Sequence, residues 1–531
     1  MSFLYKSSLG KDKNCPFPKG QAHLRHRMKL QVQERYTERP VNAFCLKGEE
    51  ELMSSGESKS PFGAYDIRGV YGENLTEDFA RRLGVALTRY ITAPDRGYAA
   101  SRSAQGSRAQ QSAYMGKRFA IGHDARTSSP GLAQALADGI ASGGGDVTMI
   151  GVSSTPAVCW YGATHGFDCL VAVTASHLAA KYNGFKICRA GAEAICSENG
   201  LLEIEALMSE IKAEGVAPPK SLTGKLTDVT DALELYIAAM ERFLNVASPL
   251  RIVVDAGGSP VGRELARLFQ NTEVEVVPLG FELDGGFSRR SANPLDEGAL
   301  DELSARVVRE GARFGAAFDG DADRVVFVDE GGKMIPPDLI IALLAQEMLL
   351  KSPGASIMYD LRSSRAVPEA ITASGGNPIK CRVGTFIGAD MRKQGAVLAG
   401  ELSAHYYWSE LFCADNALKA LIELTSLISH VAEPLSQVVK PLMKYVSSGE
   451  INFKCTQSKL IIERLAARYE AERIDRLDGL TVEFDDWWFN VRPSQTEPLV
   501  RLCLGAADAE LLAQRKNDLQ KSIEELSGVS A

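Results

Sequence analysis

One pattern constrains the fold of this chain more than any other: short apolar runs that halt abruptly on polar or acidic loops. Cys169-Leu-Val-Ala-Val173 stops at Thr174, and Arg251-Ile-Val-Val-Asp255 stops at a glycine turn ending in Gly258. Gly315-Ala-Ala-Phe318 stops at Asp319, and Ser356-Ile-Met-Tyr-Asp360 ends on its own acid. Runs this short and this apolar, bounded by turns, read as strands buried within a sheet. Further strands are expected at Phe119-Ala-Ile121, Val147-Thr-Met-Ile150 and Ala396-Val-Leu398. Helical spacing lies between them, with Phe79, Leu83, Val85 and Leu87 among polar neighbours, and a second helix from Gly131 to Ala141. The loop before that second helix, Gly122-His-Asp-Ala-Arg-Thr-Ser-Ser-Pro130, ends on residues suited to a helix start. Strand and helix in alternation predict a layered α/β architecture.

At 531 residues the chain is too long for one core. The pattern divides it into an N-terminal extension, 1–60, and three α/β units, 61–220, 221–335 and 336–450. The stretch 451–531 has another texture. A helix is expected from Leu460 to Arg473, then strands at Leu480-Thr-Val-Glu-Phe484, Trp487-Trp-Phe-Asn490 and Leu499–Leu504, then a helix from Asp508 to Leu526. Strands beside helices without strand-helix-strand spacing predict a smaller α+β domain. Residues Arg96 to Gln111 carry almost nothing to bury and read as an exposed, flexible insertion.

With 67 acidic and 59 basic residues the net charge is -8, which argues against nucleic acid as a partner while allowing a local basic pocket. The 10 cysteines form no CxxC pairs, and Cys159, Cys169, Cys381 and Cys503 sit in or beside apolar runs as small hydrophobes. A reducing, cytoplasmic compartment is expected. Organellar targeting through the extension stays open, given Arg25-His-Arg27, although Glu49-Glu-Glu51 is too acidic for a simple transit peptide. No run approaches the ~20 apolar residues of a membrane span.

Four polar loops carry the chemistry. Thr174-Ala-Ser176-His177 follows a strand, so a rigid sheet would aim Ser176 into a crevice. Ser176 is a nucleophile only if deprotonated or already phosphorylated. Neighbouring side chains tend to point apart, so His177 is expected to serve a substrate hydroxyl rather than Ser176. Lys186 brings positive charge for a transferring group. Asp319, Asp321 and Asp323 alternate within five residues and repel one another unless a cation lies between them. Their hard oxygen donors suit Mg²⁺ with a position left for a phosphate oxygen, and Arg324 adds charge there. Glu401, Ser403 and His405 alternate and would share one face of an extended backbone, facing sugar hydroxyls. Arg492, Ser494, Gln495 and Thr496, assisted by Arg501, combine cations with short donors and fit a phosphate that is not transferred. Each loop alone also reads as a solvated turn; their order in one chain favours phosphoryl transfer on a phosphosugar.

From about Phe62 to Gly505 the chain resembles the α-D-phosphohexomutase superfamily, and within it the bacterial-type phosphomannomutases. Besides the four loops, Tyr65-Asp-Ile-Arg-Gly69, Tyr182-Asn-Gly-Phe-Lys186, Gly400–Tyr407 and Ser448-Gly-Glu-Ile-Asn452 carry the likeness. The resemblance implies four domains around a central cleft, with Ser176 as phosphoserine and, with Asp319, Asp321 and Asp323, as Mg²⁺ ligand. It places Arg68, His177, Lys186 and Arg324 around the transferred phosphoryl group. Glu401 and Ser403 would hold sugar hydroxyls, with His405 nearby, and Arg492, Ser494, Gln495 and Thr496 the distal phosphate. The activity it implies interconverts mannose 6-phosphate and mannose 1-phosphate, with a hexose 1,6-bisphosphate as intermediate and activator. The partners are phosphohexose substrates, and a monomer or weak dimer is expected.

The chain departs from the pattern in places. Leu178-Ala179 stands where the superfamily usually has Asn-Pro, Gln495 where Asn is usual, and Gly384 and Gly388 where a His and a Lys are common. Two other readings stay open: a phosphoglucomutase or dual-specificity mutase, and a catalytically impaired sugar-phosphate-binding regulatory or scaffold protein.

Overall fold

The computed structural model describes residues 60–93, 116–211, 224–455, 457–469, 473–494 and 499–527. The extension before Ser60, the insertion Arg96–Gln111, and Gln495 and Thr496 lie outside the described residues.

The first sheet contains β1 (Ile67–Val70), β2 (Arg118–His123), β3 (Asp146–Val152), β4 (Cys169–Val173), β5 (Tyr182–Arg189), β6 (Glu193–Ala194) and β7 (Leu226–Asp228), in the order β1-β5-β4-β2-β3-β7 with β6 paired to β5. The second contains β8 (Leu250–Asp255), β9 (Val274–Leu279), β10 (Phe314–Phe318), β11 (Val325–Asp329) and β12 (Met334–Ile335), in the order β12-β11-β10-β8-β9. The third contains β13 (Ser356–Asp360), β14 (Asn377–Cys381), β15 (Ala396–Gly400), β16 (Tyr406–Trp408) and β17 (Ala414–Asp415), in the order β14-β13-β15-β16-β17.

These three sheets share one plan. A central strand (β2, β8 or β13) lies parallel to both neighbours, and the second neighbour turns back antiparallel into β5, β11 or β16. Strands β4, β10 and β11 are buried at every position, as continuous apolar runs between two helix layers require. The helix Glu77–Thr92 buries Phe79, Leu83 and Leu87 and starts at Thr76, whose side chain accepts from the Phe79 N–H. The helix Ala417–Ser429 is buried along its whole length and belongs to a core continuous between the second and third sheets.

The fourth sheet is antiparallel throughout. It is built from β18 (Val446–Lys454), β19 (Arg473–Asp475), β20 (Leu480–Glu483), β21 (Trp487–Pro493) and β22 (Leu499–Ala506), in the order β18-β22-β21-β20-β19. Two helices, Ser458–Arg468 and Ala509–Ser527, pack on it, so this domain is α+β. The expected helix to Arg473 ends earlier, at Arg468, because Arg473 opens the edge strand that pairs with Glu483. Cys159, Cys169, Cys381 and Cys503 are buried free thiols. Among the described residues no helix is long and apolar enough to cross a membrane.

Candidate active site

The antiparallel return in each α/β sheet needs a turn, and those three turns are the three chemical loops. Residues 174–181 join β4 to β5, residues 319–324 join β10 to β11, and residues 401–405 join β15 to β16. Each holds a non-glycine residue in the left-handed region: Ser176 at φ 53°, Ala322 at 61° and Ala404 at 69°. Such backbone is uncommon outside glycine and clusters where a turn must aim a side chain.

The loops are also bound to each other. An added Cβ at Gly320 would lie 2.5 Å from the Ser176 carbonyl oxygen, so glycine lets the first two loops touch. The second and third are joined by an antiparallel bridge between Arg324 and His405, and the Val325 N–H donates to the Ala404 carbonyl at 3.2 Å.

Ser176 is fully buried, and its Oγ donates to Asp319 Oδ2 at 3.1 Å. His177 does not point away as expected: its Nδ1 is 3.2 Å from Ser176 Oγ, because the left-handed turn at Ser176 curls the two side chains together. The loop is fastened by a residue that the sequence motifs do not include. Arg126, buried and paired with Asp124, donates to the carbonyls of Ser176, Leu178, Ala179 and Tyr182 at 2.6–3.0 Å. Asp124 also accepts from Thr174 Oγ1 at 2.7 Å, and Thr174 Oγ1 accepts from the Ser176 N–H at 2.8 Å. Leu178 packs with Ala175 and Tyr182, a small core that anchors the loop from below.

Asp319, Asp321 and Asp323 are all buried, with carboxylate oxygens within 4.8 Å of one another. Among the described residues, Asp321 Oδ1 has no hydrogen-bond partner, and the one group near Asp323 Oδ1 is His405 Nε2, at 3.5 Å. Buried carboxylate oxygens left without donors, beside a serine oxygen, are what a hard divalent cation needs, so the donor set fits Mg²⁺. The Lys186 ammonium lies among the same carboxylates, 2.7 Å from Asp321 Oδ2 and bonded to Asp323 Oδ2. It thus shares the site of the three carboxylates. Burial, then the charges of Asp323 and Asp321, push the Asp319 carboxyl well above its usual range. Burial alone would raise Asp323 too, but Lys186, His405 and Arg324 outweigh it and hold that carboxyl well below. Thr155, at the start of the helix Thr155–Thr164, binds Asp321 from the first domain: its Oγ1 donates to Oδ2 at 2.6 Å. Arg324 approaches Asp319 Oδ2 at 3.7 Å, and Arg68 pairs with Asp66 at 2.9 Å while reaching the Ala175 carbonyl at 3.4 Å.

The third loop is a tight turn and not the extended segment that alternation suggested, since β15 must reverse into β16. The Glu401 N–H donates to the His405 carbonyl at 3.0 Å. The three side chains converge all the same. His405 Nδ1 lies 3.1 Å from both Ser403 Oγ and Glu401 Oε2, and its Nε2 is 3.1 Å from Arg324 Nε. A ring protonated only on Nδ1 satisfies Glu401 and Arg324, whereas a charged ring satisfies both carboxylates. Burial and Arg324 lower its basicity, but Asp323 and Glu401 prevail and raise its pKa to about 9. Glu401 is buried yet held at about 2 by His405, Arg362 and the Gly384 N–H.

In the fourth domain Glu450 organises the clamp. It accepts from Arg492 Nη2 at 2.9 Å and Arg501 Nη1 at 2.8 Å, and Arg501 donates to Ser494 Oγ at 3.3 Å. Burial would raise Glu450, but Arg492, Arg501 and Arg362 hold it below the usual range. Arg362 links this clamp to the third loop, lying 3.7 Å from Glu450, 3.8 Å from Glu401 and 3.5 Å from Ser403 Oγ while bonded to Asp360. A signal for Arg362 was present in the sequence. Asp66-Ile-Arg68, Asp124-Ala-Arg126 and Asp360-Leu-Arg362 repeat one triplet, and in each the carboxylate receives the guanidinium two residues on.

Three α/β sheets of one plan bring their return turns to a common point, and an α+β domain carries two arginines paired with one glutamate. Comparison with known proteins makes this specific. Four domain profiles match in order: phosphoglucomutase/phosphomannomutase alpha/beta/alpha domain I at residues 59–214, domain II at 234–332, domain III at 336–446, and the C-terminal domain at 450–522. The chain therefore belongs to the phosphoglucomutase/phosphomannomutase family of the α-D-phosphohexomutase superfamily. It is 35% identical over 466 residues to a protein of Xanthomonas campestris pv. campestris (strain B100) described as phosphohexose mutases, covering 86% of this chain and 98% of that one. It is 33% identical over 470 residues to a phosphomannomutase of Escherichia coli (strain K12), covering 86% and 97%. A crystal structure of a phosphoglucomutase/phosphomannomutase family protein from Burkholderia thailandensis superposes with a TM-score of 0.77 at 29% identity, covering 89% of this chain and 98% of that one.

Proposed function

We propose that this protein interconverts mannose 6-phosphate and mannose 1-phosphate, with Ser176 carrying the phosphoryl group between them. The observation that carries the reading is the contact of Ser176 Oγ with Asp319 Oδ2 at 3.1 Å, inside a triad of buried carboxylates. Phosphorylated Ser176 gives its phosphoryl group to the free hydroxyl of a bound hexose monophosphate. The P–O bond to serine breaks as the bond to the sugar oxygen forms, and the hydroxyl proton passes by way of His177 to the departing serine oxygen. His177, 3.2 Å from Ser176 Oγ, is placed to hold or return a proton at the serine oxygen. The bisphosphate then turns end for end and returns its other phosphoryl group to Ser176. Asp319, Asp321, Asp323 and Ser176 would hold Mg²⁺, which when bound neutralises charge on the group in flight. Lys186, Arg324 and Arg68 add positive potential, and Glu401, Ser403 and His405 orient sugar hydroxyls. Arg492, Arg501 and Ser494, extended by Gln495 and Thr496, hold the phosphate that stays.

Mannose is favoured over glucose because curated relatives that nearly the whole of their length matches are named phosphomannomutases. A mutase of glucose phosphates, or of both sugars, is the nearest rival. The non-catalytic reading draws on Leu178-Ala179 and on Gly384 and Gly388, but Leu178 packs with Ala175 and Tyr182, and a Cβ at Gly388 would lie 2.6 Å from the Cys413 carbonyl oxygen. The test is an isomerisation assay of the pure protein with mannose 1-phosphate and glucose 1-phosphate, Mg²⁺ and a trace of hexose 1,6-bisphosphate. Faster turnover of the mannose ester supports the proposal, and faster turnover of glucose reassigns the substrate. A ligand-dependent thermal shift without any turnover, from folded protein, refutes the enzyme.

A further inference from the structure

Tyr65 belongs to the first domain, in the loop ahead of β1, yet its ring rests on the third domain. Its seat is Gly384, in the loop that follows β14. Gly384 has φ 105°, and a Cβ built there would lie 2.7 Å from Tyr65 Cε1, 2.8 Å from Cζ and 3.1 Å from the phenol oxygen. No carbon can stay that close to an aromatic ring, so the ring occupies the space where every other residue type carries its side chain. Neighbours hold the ring in place. Phe386 meets it edge-on at 5.8 Å and 71°, and the phenol oxygen is 3.5 Å from the Val383 carbonyl. The Arg382 guanidinium lies over Phe386 at 4.1 Å and pairs with Glu198 of the first domain at 3.1 Å. The same glycine serves the sugar loop, since its N–H donates to Glu401 Oε1 at 2.9 Å. Glu401 Oε2 accepts from the Tyr407 hydroxyl at 3.0 Å, so the carboxylate is fixed at both oxygens. Around the Tyr65 phenol, in turn, are the charges of Arg492, Asp478, Glu401 and Arg362.

We infer that Gly384 is a positioning residue: its bare α-carbon seats the Tyr65 ring across two domains while its N–H orients the Glu401 carboxylate. This rests on the mutase reading of the cleft and goes beyond it by assigning how the sugar end is shaped. Tyr65 and Phe386 form an edge-on pair at 5.8 Å, and residue 384 contributes backbone beside it in place of a polar side chain.

Two substitutions and their combination test the inference, with kcat/KM for hexose-phosphate isomerisation and the thermal midpoint as readouts. G384A should lower kcat/KM about tenfold in the native background and less than about twofold when Tyr65→Ala is already present, because the displaced ring is then gone. Equal loss in both backgrounds would assign the whole effect to backbone strain at φ 105° and overturn the inference, as would no loss in either. If G384A fails to fold, recovery of folding in the Y65A/G384A chain supports the seat, and failure of both chains refutes it. Turnover by the native protein reports separately on the mutase reading. If there is none, the same cycle is read from calorimetric binding of glucose 1,6-bisphosphate: a loss of affinity confined to the native background supports the seat, and an equal loss, or none, in both backgrounds overturns it.

Discussion

At the residue scale, the Ser176 loop depends on one guanidinium. Arg126 is buried and binds four carbonyls, and its partner Asp124 is buried with it. Removing one member of such a pair strands the other charge, which costs about 3–5 kcal/mol. R126M is therefore expected to lose that much stability in urea unfolding and to lose turnover as well, since the Ser176 carbonyl is released. Glu264 gives a second prediction. Its carboxyl is buried and accepts from the Ser154 N–H, Oε2 has no hydrogen-bond partner among the described residues, and desolvation raises its pKa to about 7. A raised carboxyl contributes its stability below the unfolded value near 4.5 and loses it as pH climbs through 7. The gap corresponds to roughly 3 kcal/mol. Unfolding curves for E264Q and the native protein should nearly coincide at pH ~4, and E264Q should be the more stable at pH ~8. A difference that does not grow with pH would show that Glu264 is not the group responsible. These two residues differ in how legible they were. Arg126 stands in an Asp-x-Arg triplet that recurs at Arg68 and Arg362, whereas nothing in Arg263-Glu-Leu265 tells that its carboxyl faces inward.

At the element scale, the three return turns are one device used three times. The sequence revealed the strands before them because fully buried strands are continuous apolar runs. It did not reveal the hairpins, because β5, β11 and β16 look like any other strand and only pairing shows that they run backwards. That is why Glu401, Ser403 and His405, whose alternation reads as extended backbone, converge instead on a tight turn. The fourth sheet offers a test of its own. Glu450 follows a register shift in β18 between Ser447 and Glu450, and it fixes both clamp arginines. E450Q removes the charge that aligns them and keeps the shape. Because the clamp is proposed to hold the phosphate that does not react, KM for both monophosphates should rise about tenfold with a smaller change in kcat. An equal fall in kcat with KM unchanged would place Glu450 in the transfer step.

At the scale of the whole molecule, the domains meet through charged groups that also face the cleft. Arg362 of the third domain touches Glu401 of its own domain and Glu450 of the fourth. R362A should raise KM and speed amide hydrogen exchange in 446–454, while exchange in the first sheet stays unchanged. Uniformly faster exchange would mean general destabilisation instead. The three related α/β units and the final α+β domain were legible from the spacing of apolar runs. The contacts between units were not, because Arg362, Thr155 and Tyr65 find their partners across domain boundaries that local pattern does not describe.

The central claim is that a buried carboxylate triad and Ser176 form one phosphoryl-transfer centre. Intact-mass measurement after incubation with glucose 1,6-bisphosphate and Mg²⁺ tests it directly. The expected result is one phosphoryl group on the native protein, located at Ser176 by peptide mapping, and none on S176A or when Mg²⁺ is chelated. A native protein that stays unmodified, or one modified equally well after chelation or at another residue, would contradict it.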